Sequence, residues 1–295
     1  MEIFKLYRQY TNDENSNCNI IGFFNNYIER HNDTLILDFS DVEFISANLF
    51  ALFGACIYTL YKKNGLHIKV YGMSDKLKKV IQKNGFCRHF SLSQINDSYK
   101  TTIEYRIFNA STDALVEFEK YLLINLFSNS KLPTMTEELE NQIIDNLLEM
   151  FNNVIDHTEA REVFVCGQVF PNKGKLFFSI VDIGTTIKEN VEAFATHCGK
   201  AMPSHCIKWA VVGGNTTMIG NAPGGMGLTI LSEFILKNNG TITIISDNEY
   251  YEFSAGSVTY KTIADRFIGT VVTICINLND RSVYLVDDSN SLISF

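Results

Sequence analysis

EELENQIIDNLLEMFNNVIDHT, Glu137 to Thr158, predicts one long amphipathic helix. Ile143, Ile144, Leu147, Leu148, Phe151, Val154 and Ile155 recur at steps of three and four, the period of a stripe turned toward a core. Thr136 stands where an N-cap hydroxyl is needed, and acidic residues fill the first turn, where the helix dipole favours them. Within this pattern Glu149, Asn153 and His157 follow one another at four-residue intervals. A carboxylate, an amide and an imidazole therefore project in a row along nearly one face. An isolated row of this kind is a solvated polar stripe, so its weight rests on what lies downstream.

Around this helix the composition is that of a folded chain. With 295 residues, 46% hydrophobic and 20% charged, it can build one large or two medium domains and bury a proper core. The formal net charge of −8 argues against a nucleic-acid scaffold, which needs basic patches to neutralise phosphates. No run is apolar enough to span a bilayer, and MEIFKLYRQY lacks the apolar core of a signal peptide, so a cytoplasmic protein free of membrane is expected. Seven cysteines, an odd count without any CxxC, argue against a disulfide framework. His197-Cys198 and His205-Cys206 could in principle supply four zinc ligands. Their adjacent spacing is unlike the usual ligand knuckles, and Gly199 and Pro203 suggest an ordinary loop.

In chain order, residues 1–9 alternate like a strand, Asn12 to Asn19 reads as a polar loop, and Ile20 to Arg30 as a helix. Thr34 to Phe39 and Leu66 to Tyr71 read as buried strands, Ala47 to Lys63 as a helix ended by Asn64-Gly65, and Ser74 as the cap of a helix through Lys83. Strands alternating with helices make an α/β unit, placed at 1–97 with its boundary near Asn96-Asp97-Ser98. A second unit, 98–280, opens with a strand from Thr101 to Phe108 and a helix from Ser111 or Asp113 through Phe127. Glu162 to Phe170 and Lys175 to Val181 form a hairpin across Pro171-Asn172-Lys173-Gly174. Thr185 to Gly225 is loop-rich, with one helix around Ile207 to Val212, and a further helix runs from Leu228 to Lys237. Thr241 to Ser246, Tyr250 to Ala255, Ser257 to Tyr260 and Thr270 to Asn277 read as a meander, and 281–295 as a polar tail. The fold class is α/β (α+β).

Thr34 to Phe86, TLILDFSDVEFISANLFALFGACIYTLYKKNGLHIKVYGMSDKLKKVIQKNGF, resembles the STAS domain of bacterial anti-sigma factor antagonists. In that family the loop before the first long helix carries a phosphorylated serine. Here the matching positions are Ser46 and Ala47, with alanine at the acceptor position, which leaves a protein-binding role.

Three features follow the long helix. Asp182 ends a strand and is followed by Gly184; a carboxylate there can accept a hydrogen bond from the amine of a planar base. Pro223-Gly224-Gly225-Met226-Gly227-Leu228 opens a helix, where glycines free backbone N–H groups to face phosphate oxygens. No lysine follows, so this is not a P-loop. Gly269-Thr270 opens a late apolar strand.

In this order and spacing, residues Thr101 to Asn277 resemble the GHKL (histidine-kinase-like) ATPases, which include gyrase-type ATPases, histidine kinases and anti-sigma serine kinases. The resemblance implies a Bergerat-fold α/β sandwich, a mixed and mostly antiparallel sheet covered by helices on one face. It also implies ATP and Mg²⁺ as ligands. Glu149 would be the catalytic residue that polarises water or an acceptor hydroxyl, and Asn153 would hold Mg²⁺. His157 would lie near the nucleotide, Asp182 would contact the adenine amine beside Gly184, Gly225, Gly227 and Leu228 would meet the phosphates, and Thr270 would support the adenine pocket. The chain departs from the family pattern at Thr186 and at Pro223, positions where the family pattern has glycine. Ile187 to Asn221 would form the ATP lid. The implied function is an ATP-binding regulatory protein of the partner-switching type, acting as an ATPase or serine/threonine kinase on a protein partner. The other reading is a non-catalytic switch, in which ATP occupancy controls what the STAS-like part binds. A homodimer stays open.

Overall fold

The alternation expected at the start of the chain is formed, in a computed structural model that describes residues 2–212, 215, 217, 228–286 and 292–294. Strands β1 (Glu2–Lys5), β2 (Gln9–Tyr10), β3 (Thr34–Asp38), β4 (Phe44–Ile45) and β5 (His67–Tyr71) are interleaved with helices α1 (Glu14–Tyr27), α2 (Phe50–Lys62) and α3 (Asp75–Lys83). β1, β3 and β5 make a three-stranded parallel sheet, and β2 pairs with β4. The Ser74 hydroxyl caps α3 by accepting from the Leu77 N–H. The segment read as a polar loop at 12–19 is mostly helical: the Asp13 carboxylate accepts from the Ser16 N–H and starts α1 at Glu14. Asp13 is a strong start signal, and it outweighs the low hydrophobicity that follows it.

The rest comprises β6 (Thr102–Asn109), α4 (Thr112–Leu122), β7 (Thr134–Met135), α5 (Glu137–His157), β8 (Glu162–Phe170), β9 (Lys175–Asp182), α6 (Ile187–Cys198), α7 (Cys206–Ala210), α8 (Thr229–Lys237), β10 (Thr241–Ser254), β11 (Ser257–Asn277), β12 (Val283–Val286) and β13 (Leu292–Ser294). Five of these strands form one antiparallel sheet in the order β10-β11-β9-β8-β6. α5 begins as its sequence dictates, with the Thr136 hydroxyl accepting from the Leu139 N–H. Its apolar stripe joins α4 and α8 on one face of the sheet: Phe118, Leu147, Phe151 and Phe234 pack there with Phe178, Ile180 and Val272.

The other face of the sheet is covered as well. Phe164, Val181, Val271 and Phe267 share a core with Phe24, Leu52 and Ala55 of the first unit. Helices on one face alone is therefore incomplete: α1 and α2 lie between the two sheets. This is why FALFGACIYTLYK is apolar all round, because both sides of α2 are buried. Gly54 lets α2 approach β6, since a Cβ there would meet the Tyr105 hydroxyl at 2.5 Å.

Three further departures have local causes. The segment from Thr185 is not loop-rich at its start, because Thr186 and Glu189 form a reciprocal capping box that launches α6. The four-strand meander is two long strands, and the break read after Ser246 is a register shift with Asp247 at φ 53°. The polar tail carries β12 and β13, which complete a small sheet with β7 and bury Tyr284.

Candidate functional site

The site is built at the end of β9. Side chains alternate along this strand, so Ser179 and Val181 face the first unit while Ile180 and Asp182 face the helix layer. Asp182 sits opposite Thr270 in the ladder and is 3% exposed. Burial pushes its carboxyl up to about 7, and the Thr270 N–H only partly offsets this. Among the described residues its Oδ1 has no hydrogen-bond partner.

The neighbouring backbone is drawn close. A Cβ at Gly269 would lie 2.1 Å from the Asp182 carbonyl oxygen, and one at Gly184 would lie 2.7 Å from the Ala160 nitrogen. The Gly184 N–H donates to the Ile268 carbonyl at 3.1 Å. Ser246, which the sequence gave no reason to single out, closes the group. Its hydroxyl donates to the Gly269 carbonyl at 2.8 Å, lies 3.3 Å from Thr270 Oγ1 and accepts from the Ile187 N–H at 3.0 Å. Asp182, Gly184, Gly269, Thr270 and the start of α6 thus form one constellation.

The polar row on α5 borders the same layer. The Asn153 amide nitrogen is buried without a partner among the described residues. Glu149 is half-buried, and loss of solvent raises its carboxyl pKa. His157, also half-buried, is shifted down by desolvation, and its Nδ1 is 3.1 Å from Thr217 Oγ1. The His157 carbonyl accepts from Asn190 Nδ2 at 2.8 Å, which ties the end of α5 to α6. Asn146, another residue not singled out, accepts from the Leu231 N–H at 2.9 Å and anchors the start of α8. Both Ser246 and Asn146 act through distant partners, so no local pattern marks them.

Thr186 is fully buried as the α6 cap; its departure from glycine has a structural use. Arg266 bridges Glu189 at 2.6 Å and Asp247 at 2.9 Å, and Lys188 reaches Asp247 at 3.2 Å. The root of the expected lid is thereby latched to the β10–β11 hairpin. Gly225 and Gly227 lie outside the described residues. The Leu228 side chain is buried in the helix-side core, so only its backbone is left to meet a ligand. Among the described residues no three His, Cys, Asp or Glu side chains converge as a metal-binding group. Cys198 is exposed at the end of α6, while the Cys206 N–H donates to Glu249.

The unpaired atoms Asn153 Nδ2 and Asp182 Oδ1 test whether a nucleotide suits the site. Buried polar groups are almost always satisfied, so two such atoms on the elements that should wall a pocket fit a ligand with matching donors and acceptors. The chain matches no protein-family model and no curated protein. Among the described residues no helix is long and apolar enough to cross a membrane.

Proposed function

We propose that this chain is a GHKL-type ATP-binding regulatory protein, with a STAS-like first unit and a Bergerat-type second unit. The observation that carries the reading is the buried, unpaired carboxylate oxygen of Asp182 beside Gly184 and Thr270. An adenine amine donates to that oxygen, while at Gly184 and Gly269 neighbouring backbone packs too closely to admit a side chain. The Asn153 amide oxygen would hold Mg²⁺, which would supply neutralisation of the triphosphate charge, and its unpaired Nδ2 would donate to a phosphate oxygen. Glu149, with its carboxyl raised toward neutrality, is the stronger base for a proton leaving water or a hydroxyl.

One observation favours the switch over a kinase acting on its own first unit. Ser46 is fully buried and faces away from Asp182. Its Oγ accepts from Asn12 at 2.8 Å and donates to Asn48 at 2.6 Å, and Asn48 reaches Ser179 at 3.0 Å. Ser179 in turn is 2.9 Å from Thr273, on the strand that carries Thr270. The first unit is thus hydrogen-bonded to the back of the strands that form the nucleotide slot. ATP occupancy on one face is read by the unit on the other.

Calorimetric titration of Mg-ATP into the full chain, beside Asp182→Ala, tests binding. No affinity in the unmodified protein sinks the proposal. Phosphate release from wild type and Glu149→Ala then separates enzyme from switch: equal, negligible rates leave the switch alone.

A further inference from the structure

A polar cavity lies on the opposite face of the large sheet, away from Asp182. It measures about 150 Å³ and is walled by both units. Phe177, Thr273 and Cys275 line its sheet side, Asn17 comes from the first turns of α1, and its charged residues are Glu252, Lys175 and Asp13, whose carboxylate is already occupied by the Thr11 hydroxyl and the Ser16 N–H. We propose that it binds a small zwitterion carrying an ammonium and a carboxylate, the chemistry of a free α-amino acid.

Three groups in the wall have unused capacity. Asn17 is 7% exposed, and its amide nitrogen donates to the Asp13 carbonyl at 2.9 Å, which assigns the other end as an acceptor. That acceptor, Oδ1, is buried without a donor among the described residues. Such an atom is costly in a fold that has no use for it. Glu252 accepts the Tyr250 hydroxyl through Oε2 at 2.7 Å, which leaves Oε1 for a second donor. Lys175 pairs with no carboxylate among the described residues. Two acceptors, one of them charged, suit an ammonium, and the lysine suits a carboxylate. A cavity of this size has room for a small solute on the scale of a free amino acid. The wall combines α1 with three strands of the sheet, so a bound zwitterion holds the first unit to the second.

The test is a thermal-shift and calorimetry panel of the twenty free L-amino acids on the full chain, without nucleotide, with glycerol and glucose as neutral controls. Its outcome is therefore independent of ATP binding. At least one amino acid raises the melting temperature in a saturable way. Asn17→Leu, Glu252→Gln and Lys175→Met each weaken that binding tenfold or more, and Asn17→Leu also raises the melting temperature of the free protein by removing the unpaired oxygen. Should Asn17→Leu not fold, the Glu252 and Lys175 variants decide. The inference is overturned if no amino acid binds, if the neutral controls bind instead, or if binding survives the Glu252 and Lys175 substitutions unchanged.

Discussion

Asp182→Asn separates stability from binding. The carboxyl stands at about 7 in the fold, against 3.8 for an ordinary aspartate, because burial disfavours its charge. A folded value above the unfolded one means that the protein is relatively most stable below pH 3.8. That stability is lost as pH rises toward 7 and stays lost above it. At 1.36 kcal/mol per pH unit the penalty reaches about 4 kcal/mol at pH 8, an upper figure because water penetration softens it. The amide is nearly isosteric and carries no charge, so it removes the penalty. The free variant should melt about 10 °C higher than wild type at pH 8, with the gap closing toward pH 4. Nucleotide binding should move the other way: the ionised carboxylate accepts the adenine amine, so wild-type affinity falls up to tenfold per pH unit below 7. The variant should lose most of its affinity and its pH dependence together. Scanning calorimetry across pH, with and without Mg-ATP, reads both effects. A free variant no more stable than wild type at pH 8, or one that binds ATP equally well, refutes the assignment of Asp182 as a buried, ligand-seeking carboxylate.

Other consequences are local. Gly269→Ala forces a methyl to within 2.1 Å of the Asp182 carbonyl oxygen and should cost about 3 kcal/mol by urea titration while displacing Thr270 from its register. Gly54→Val drives α2 away from Tyr105 and should cost a similar amount or more, since both faces of that helix are packed. Thr186→Ala removes the capping box and should lower stability by about 1 kcal/mol, with earlier proteolysis within α6 as the second readout. Asn146→Ala leaves the Leu231 N–H without its acceptor, and amide exchange should accelerate in the first turn of α8 before anywhere else on the helix layer.

Local chemistry was enough wherever a residue acts on its own neighbours. Thr136 caps α5 and Ser74 caps α3 because the groups they satisfy lie three residues away. β3 follows from a short apolar β-rich run and the stripe on α5 from its period; β5 forms where a strand was expected, but at the edge of its sheet with no buried residue, not as the buried strand read from Leu66 to Tyr71. The start of α6 is equally local, since the Thr186–Glu189 capping box lies within four consecutive residues. Asp13 likewise marked the true start of α1.

Tertiary packing decided the rest, because it joins groups far apart in the chain. The all-round hydrophobicity of α2 says that it is buried on every side, but only the fold places it between two sheets. Tyr284 becomes core because β12 finds a two-residue strand well over a hundred positions earlier. Ser246, Asn146 and the Ser46–Asn48–Ser179 link acquire roles from partners 23 to 131 residues away. Pattern and capping are set by short-range geometry and can be read along a line. Burial, and the chemical strain it puts on Asp182 and Asn17, exists only once distant surfaces have closed over them.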